Sequence, residues 1–234
     1  AQLKAYEVYG YRLESLLEQK ANVRAGEKIR NILAAGTNSL LRTFALVMLE
    51  KAWGAADSNI VAAAVQSEDP WQRRAALRTM SRRDPKRFEA RLKDWAKDPS
   101  EYVRAVVPAA YNRTDMRWTH YLDEKHLETG YSSFSPGQRS AKLSPEVKEV
   151  LAALTRDPSP MVHIEAFFAL LVNRESADLA LFAQALDTLP DRKSAAERVA
   201  EFMTQQYRAL GPEFRILLPF LEASTREQST LDSV

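Results

Sequence analysis

The stretch Asp98-Pro-Ser-Glu-Tyr-Val-Arg104 decides how this chain folds, because similar stretches occur elsewhere in it. Two further copies are Asp157-Pro-Ser-Pro-Met-Val-His163 and Glu68-Asp-Pro-Trp-Gln-Arg-Arg74, and a fainter copy is Asn38-Ser-Leu-Leu-Arg42. Aligned on the last residue of each copy, the successive intervals are 32, 30 and 59 residues, and the last is close to two periods. Self-similarity at a fixed period predicts an array of stacked structural units.

The unit from residue 84 to residue 112 has the pattern of two antiparallel helices. Asp84 is a suitable N-cap, and Pro85 fits the first position of a helix. The turn Asp98-Pro-Ser100 should end the first helix, because the residue before a proline disfavours helical geometry. The apolar residues at helical spacing are Phe88, Leu92 and Trp95 in the first helix, and Tyr102, Val103, Val106, Val107 and Ala110 in the second. Such a pair cannot bury its apolar face alone, so neighbouring pairs must stack.

The same pattern predicts helices along the whole chain. An amphipathic opening stretch at 3–20 should cap one end of the array. The predicted helix pairs are 25–35 with 38–53, 58–67 with 70–82, 85–97 with 100–112, and 145–156 with 159–173. Single helices follow at 176–188, at 193–208 and around Phe214–Leu221.

The repeated turn resembles the HEAT-repeat family, in particular its short bacterial repeats. In that family an Asp-Pro-Ser turn is followed by Val-Arg and then by alanines. The positions that match are Asp98, Pro99, Val103, Arg104 and Ala109, then Asp157, Pro158, Val162 and Ala166, with His163 in place of the arginine.

The resemblance implies a ladder between adjacent repeats, in which turn aspartates meet helix arginines. Asp98 and Arg104, with Arg74 or Arg42 beside them, would then be structural, as would Asp157 and His163. It also implies an all-α, right-handed α-α superhelix of about twelve helices. We expect one such domain over 1–223, with an irregular insert at 113–143 and a polar tail at 224–234.

The composition excludes several classes of protein. The chain has 234 residues, of which 45% are hydrophobic and 27% charged, and only 7 are glycine, which favours a globular helical protein. It has no cysteine, so disulfides and thiol chemistry are excluded. No apolar run approaches the roughly 20 residues of a membrane span, so we expect a soluble protein. The start at Ala1 favours a cleaved leader, and hence export, although a fragment boundary would look the same.

The insert at 113–143 carries aromatic residues and turn formers. It holds Trp118, Tyr121, Tyr131 and Phe134, which fit a partner-contact loop, a packing insert or a degenerate repeat. His120 and Glu124 would share a helical face, but a metal site needs three or more converging ligands. We therefore expect neither a metal nor a cofactor.

Basic charge is concentrated between Arg73 and Lys97, a stretch that contains ten Lys or Arg residues and only three acidic ones. Arg74, Arg78 and Arg82 recur every four residues and should line one face of a helix. A stripe of this kind fits a solvated surface, an acidic protein partner or nucleic acid.

The sequence favours a non-catalytic scaffold or complex subunit over an enzyme. It has no glycine-rich phosphate loop, no Gly-x-Ser-x-Gly elbow and no histidine-paired nucleophile. We predict that a protein partner is held by Arg74, Arg78 and Arg82 together with the four aromatic residues of the insert. The chain could also belong to a larger complex or a longer polypeptide.

The alternative is a HEAT-like DNA-binding protein, such as an alkyl-purine DNA glycosylase. Trp71-Gln-Arg-Arg-Ala-Ala76 is loosely similar to a stretch of those enzymes. Asp115 with Trp118 is the nearest candidate for their catalytic aspartate beside tryptophan, and its spacing does not match.

Overall fold

Every regular element in the described part of the chain is a helix, so the all-α prediction is confirmed. The computed structural model describes residues 23–112, 143–173, 175, 177–187, 196, 199–200 and 212–223. Its α-helices are α1 (Val23–Ala35), α2 (Ser39–Leu49), α3 (Asp57–Ala64), α4 (Pro70–Arg83), α5 (Pro85–Glu89), α6 (Leu92–Trp95), α7 (Glu101–Arg104), α8 (Val106–Ala109), α9 (Pro145–Leu154), α10 (Pro160–Val172) and α11 (Leu179–Asp187). A 3-10 helix spans Pro212–Leu217 and continues as α-helix over 218–223.

The helices begin where local capping chemistry places them. The side chains of Asn38, Asp69 and Ser144 accept hydrogen bonds from backbone N–H groups at the starts of α2, α4 and α9. Proline occupies an early position in α4, α5, α9 and α10, where the missing N–H costs nothing.

The predicted helices 85–97 and 100–112 are each broken in two. In the first, the Trp95 indole donates to the Phe88 carbonyl at 3.1 Å, and that carbonyl would otherwise accept from the Leu92 amide. In the second, Pro108 has no N–H to donate to the Arg104 carbonyl, and the helix is interrupted one turn earlier, at Ala105.

The helices pack serially along the chain. Helix α1 contacts α2, α3 contacts α4, and α9 contacts α10, as expected for helix pairs. The second helices contact one another in order: α2 meets α4, α4 meets α7 and α8, these meet α10, and α10 meets α11. A buried hydrogen bond of 3.0 Å from Thr79 Oγ1 to the Leu46 carbonyl joins α4 to α2.

The 59-residue interval does not correspond to two periods of the stack. Helices α7 and α8 pack directly on α10, and α6 packs on α9. The side chains of Arg104 and Asp157 are also in direct contact. The units on either side of residues 113–142 are therefore immediate neighbours.

The core follows the helix stack in two adjoining clusters. The larger one runs from Ile29 to Leu170 and contains the predicted apolar residues Phe88, Leu92 and Trp95. The smaller one joins α10 to α11 and the last helix, and the Phe167 and Phe182 rings meet there at 4.9 Å between centroids.

Several predicted segments lie outside the described residues: the opening stretch 3–20, the insert apart from Leu143, most of 193–208, and the tail 224–234. Within the described ranges, no helix is both long and apolar enough to cross a membrane.

Candidate functional site

The turns that begin the second helices share one local structure and lie along one edge of the stack. We call this surface the turn edge; it comprises residues 36–42, 67–73, 98–104 and 157–163. In three of these turns the residue two places before the N-cap accepts a hydrogen bond from the N-cap amide. The acceptors are Ser67 Oγ at 3.2 Å, Asp98 Oδ1 at 2.8 Å and Asp157 Oδ1 at 2.8 Å. This common turn defines which positions correspond between units.

Four residues after each N-cap stands a basic residue or a histidine. These residues are Arg42, Arg73, Arg104 and His163. Aligned in this way, the first three arginines are 31 residues apart. The sequence pattern predicts Arg74 in this row; that prediction is wrong by one residue, because Arg73 holds the position.

Two of these arginines clamp their own turn to the next one. Arg73 Nε and Nη2 donate to the Asp98 carboxylate, both at 2.9 Å, while its Nη1 donates to two carbonyls of its own turn. Arg104 does the same with Asp157, at 2.7 and 2.8 Å. Such two-point pairs fix geometry as well as charge. The expected partners of Asp98 are thus corrected: its cation is Arg73, not Arg104, Arg74 or Arg42.

His163 stands at the arginine position of the last described turn. Its ring is half-buried, and burial lowers the pKa of the imidazole despite a hydrogen bond to the Asp157 backbone. Its Nε2 is buried and has no hydrogen-bond partner among the described residues.

Apolar side chains follow the N-caps and form a strip along the turn edge. Two residues after the cap stand Leu40, Trp71, Tyr102 and Met161. Trp71 and Tyr102 belong to successive units, and their rings stack with centroids 4.7 Å apart. At the start of α2, Leu40 is 43% exposed and its neighbour Leu41 is 45% exposed. We call Leu40, Leu41, Trp71 and Tyr102 the apolar strip.

A shallow groove of about 460 Å³ lies beside the strip, between the last two described turns. Its walls are Pro99–Tyr102, Arg104 and Pro158–Pro160. Within it, Ser159 is buried and its Oγ has no hydrogen-bond partner among the described residues. The charges at the groove are Arg104, already paired with Asp157, and Glu101, so the groove offers no unpaired cation to an anion.

The predicted contact arginines differ in their accessibility. Arg74 is only 8% exposed, and its guanidinium lies 5.6 Å from the centroid of the Trp71 ring. Arg78 is half-buried. Arg82 is exposed and pairs with Glu50 at 2.9 Å. The other predicted contacts, Trp118, Tyr121, Tyr131 and Phe134, lie outside the described residues.

At least four of the ten basic side chains between residues 73 and 97 are paired with carboxylates. Besides Arg73 and Arg82, Arg91 pairs with Asp94 at 3.0 Å, and Lys93 pairs with Glu149 at 3.0 Å. This pairing reduces the local field that a phosphate backbone would meet.

No group of three or more His, Asp or Glu side chains within the described ranges is arranged to hold a metal ion. His120 and Glu124 lie outside those ranges, as do Asp115 and Trp118, the catalytic candidates of the glycosylase alternative. Comparisons of the chain with protein-family models, with curated proteins and with solved structures found no match.

Proposed function

We propose that this chain is a non-catalytic scaffold or complex subunit that binds a protein partner along the turn edge. We further propose that its serial helix pairs form a right-handed HEAT-like superhelix. The apolar strip carries the proposal, because it combines the exposed Leu40 and Leu41 with the stacked rings of Trp71 and Tyr102 on one surface.

The ladder holds part of this surface rigid. Because Arg73 and Arg104 each bond both their own turn and the next, the turns that carry Trp71 and Tyr102 should lose little freedom on binding. The turn of Leu40 and Leu41 is linked to its neighbour by the hydrogen bond from the Ser39 hydroxyl to Asp69. Preorganised surfaces of this kind bind more tightly for a given area. Aromatic side chains are also enriched among the residues that dominate interface energies.

The duplex-binding alternative has less support among the described residues. Four of the basic side chains between 73 and 97 are paired with carboxylates, and Arg74 is buried beside Trp71. The exposed arginines and the insert at 113–143 stay in the proposal as predicted additional contacts.

Affinity capture from the source organism, followed by quantitative mass spectrometry, tests the proposal. The test variant replaces Leu40 and Leu41 by Asp, and the matched control replaces Ile216 and Leu218, which are 43% and 42% exposed at the other end of the chain. We expect a defined partner that the wild type and the control retain and that the Leu40/Leu41 variant loses.

A partner retained equally by all three proteins would place the interface elsewhere. Recovery of nucleic acid alone, with binding that weakens steeply as salt is added, would favour the duplex-binding alternative instead.

A further inference from the structure

The ladder is incomplete at its first position. Arg73 and Arg104 each meet a carboxylate that lies two residues before the N-cap of the next unit. The corresponding residue opposite Arg42 is Ser67, whose hydroxyl makes the turn hydrogen bond but carries no charge. The helix pair α1–α2 therefore presents an arginine for which the next described turn supplies no aspartate at the corresponding position.

The Arg42 guanidinium has no hydrogen bond or ion pair within the described part of the chain, and its Nε is buried without a partner. A buried charged donor without an acceptor is costly, and native structures usually satisfy such groups. The half-buried side chain still reaches the surface of the turn edge.

The carboxylate of the neighbouring turn is already engaged. Asp69 accepts hydrogen bonds from the Ser39 hydroxyl, from the Trp71 amide at 2.8 Å and from the Gln72 side chain at 3.4 Å. These hydrogen bonds engage the Asp69 carboxylate as the cap of α4, and it forms no ion pair with Arg42.

Exposed apolar surface lies on the same turn as this arginine. Leu40 and Leu41 precede Arg42 directly, and both are among the four exposed large hydrophobic side chains in the described ranges. Among the described residues, a cation without an anion and an apolar patch thus lie side by side, and together they are complementary to an acidic residue next to an apolar one.

We propose that Arg42 is a binding site for an Asp or Glu carboxylate of a protein partner, with the partner's adjacent apolar side chain packed on Leu40 and Leu41. This inference rests on the proposed function and identifies the chemistry of the partner segment. Because the Nε of Arg42 is buried, the bound carboxylate meets the outer guanidinium nitrogens Nη1 and Nη2, in the two-point geometry that guanidinium favours.

The chain itself offers a sharp test, because Ser67→Asp supplies the missing carboxylate internally. The probe is a random linear peptide library displayed on phage and selected on the immobilised full chain. We expect enriched peptides to carry Asp or Glu beside a large apolar residue. Their affinity should fall about 10- to 100-fold on Ser67→Asp and on Arg42→Gln, the range that a charge-assisted pair contributes.

The matched control is Ser144→Asp. It makes the same chemical change at an exposed N-cap, where Asp also caps well, and it should leave peptide affinity unchanged. Replacing the acidic residue of the peptide by its amide should weaken binding to the wild type and have little effect on Arg42→Gln. If Ser67→Asp fails to fold, the wild type and Arg42→Gln, each tested with the acidic and the amide peptide, still form a complete double-mutant cycle.

The outcomes separate the two proposals. Peptides that need Leu40 and Leu41 but bind Ser67→Asp and Arg42→Gln as well as the wild type would overturn the carboxylate site and leave the proposed function standing. If no enriched peptide depends on Leu40 and Leu41, the proposed function fails together with this inference.

Discussion

Arg104 and Asp157 lie 53 residues apart in the chain and form a two-point ion pair at 2.7 and 2.8 Å. Their side chains are only 14% and 6% exposed. This pair joins the unit of α5–α8 to the unit of α9 and α10, on either side of the insert. It therefore tests whether the ladder holds the stack together.

Breaking this pair should destabilise the protein. Arg104→Gln leaves Asp157 nearly buried without its cation, and we expect a loss of about 2–4 kcal/mol in the free energy of unfolding. Asp157→Asn should cost a similar amount, and the double variant should cost less than the sum of the two. Urea unfolding at neutral pH measures all three.

An exposed pair provides the control for the ladder. Lys93 and Glu149 are also 3.0 Å apart between units, but their side chains are 52% and 69% exposed. Lys93→Gln should leave the urea midpoint unchanged, because water screens such pairs. Equal losses in Lys93→Gln and Arg104→Gln would show that the ladder contributes no more than an ordinary surface contact.

The Asp57 carboxylate should make stability depend on pH. It is fully buried, and the hydrogen bonds from Arg30 at 2.7 Å, helped by the Gly54 amide at 2.7 Å, hold its pKa below the ordinary value of 3.8. A carboxyl group whose pKa is lower in the folded than in the unfolded state stabilises the folded protein at pH values above its ordinary pKa. That stability is lost as the pH falls through the folded pKa.

Asp57→Asn tests this contribution directly. We expect the variant to be less stable than the wild type by about 2–4 kcal/mol at pH 7, because Arg30 loses its charged partner. The difference should shrink once the pH falls below 3.8. Urea midpoints between pH 7 and pH 3 measure it, and a difference that does not vary with pH would assign the loss to packing alone.

The helix pairs could be predicted from the sequence because their signals are local. Asp84 with Pro85 and Asp98 with Pro99 mark turns, and apolar residues at helical spacing mark the buried faces. The break before Pro108 could also be predicted from the sequence, because a proline has no backbone N–H to donate to a helical hydrogen bond. The break before Leu92 was not, because it depends on where the Trp95 indole points in three dimensions.

The turn edge was only partly predictable. The alignment chose Arg74 because two arginines are adjacent and the Asp-Pro turn is displaced there. Counting four residues from the N-cap Asp69 selects Arg73, and the same count from the N-cap Ser100 selects Arg104. The exposure of Leu40 and Leu41 could not be derived, because apolar spacing indicates burial and does not show where a neighbouring unit fails to cover a helix end.

The contact between Asn112 and Glu165 gives a last prediction, on how the two units across the insert are joined. Asn112 is fully buried and donates its amide to the Glu165 carboxylate, which is 7% exposed. Asn112→Asp keeps the shape but sets a second carboxylate against the first. Two adjacent buried carboxyls cannot both ionise without a large cost, so we expect a loss of about 2–4 kcal/mol in the free energy of unfolding at pH 7.

The Asn112→Asp variant should also respond to pH. Because the introduced carboxyl is easier to protonate than to ionise there, its pKa in the folded state should rise. Stability should then recover as the pH falls below that raised pKa, in contrast to the behaviour of Asp57. Urea midpoints of Asn112→Asp and Asn112→Leu between pH 7 and pH 4 separate charge repulsion from the loss of the hydrogen bond, since only the first is relieved by acid. Parallel pH profiles for the two variants would contradict the direct contact.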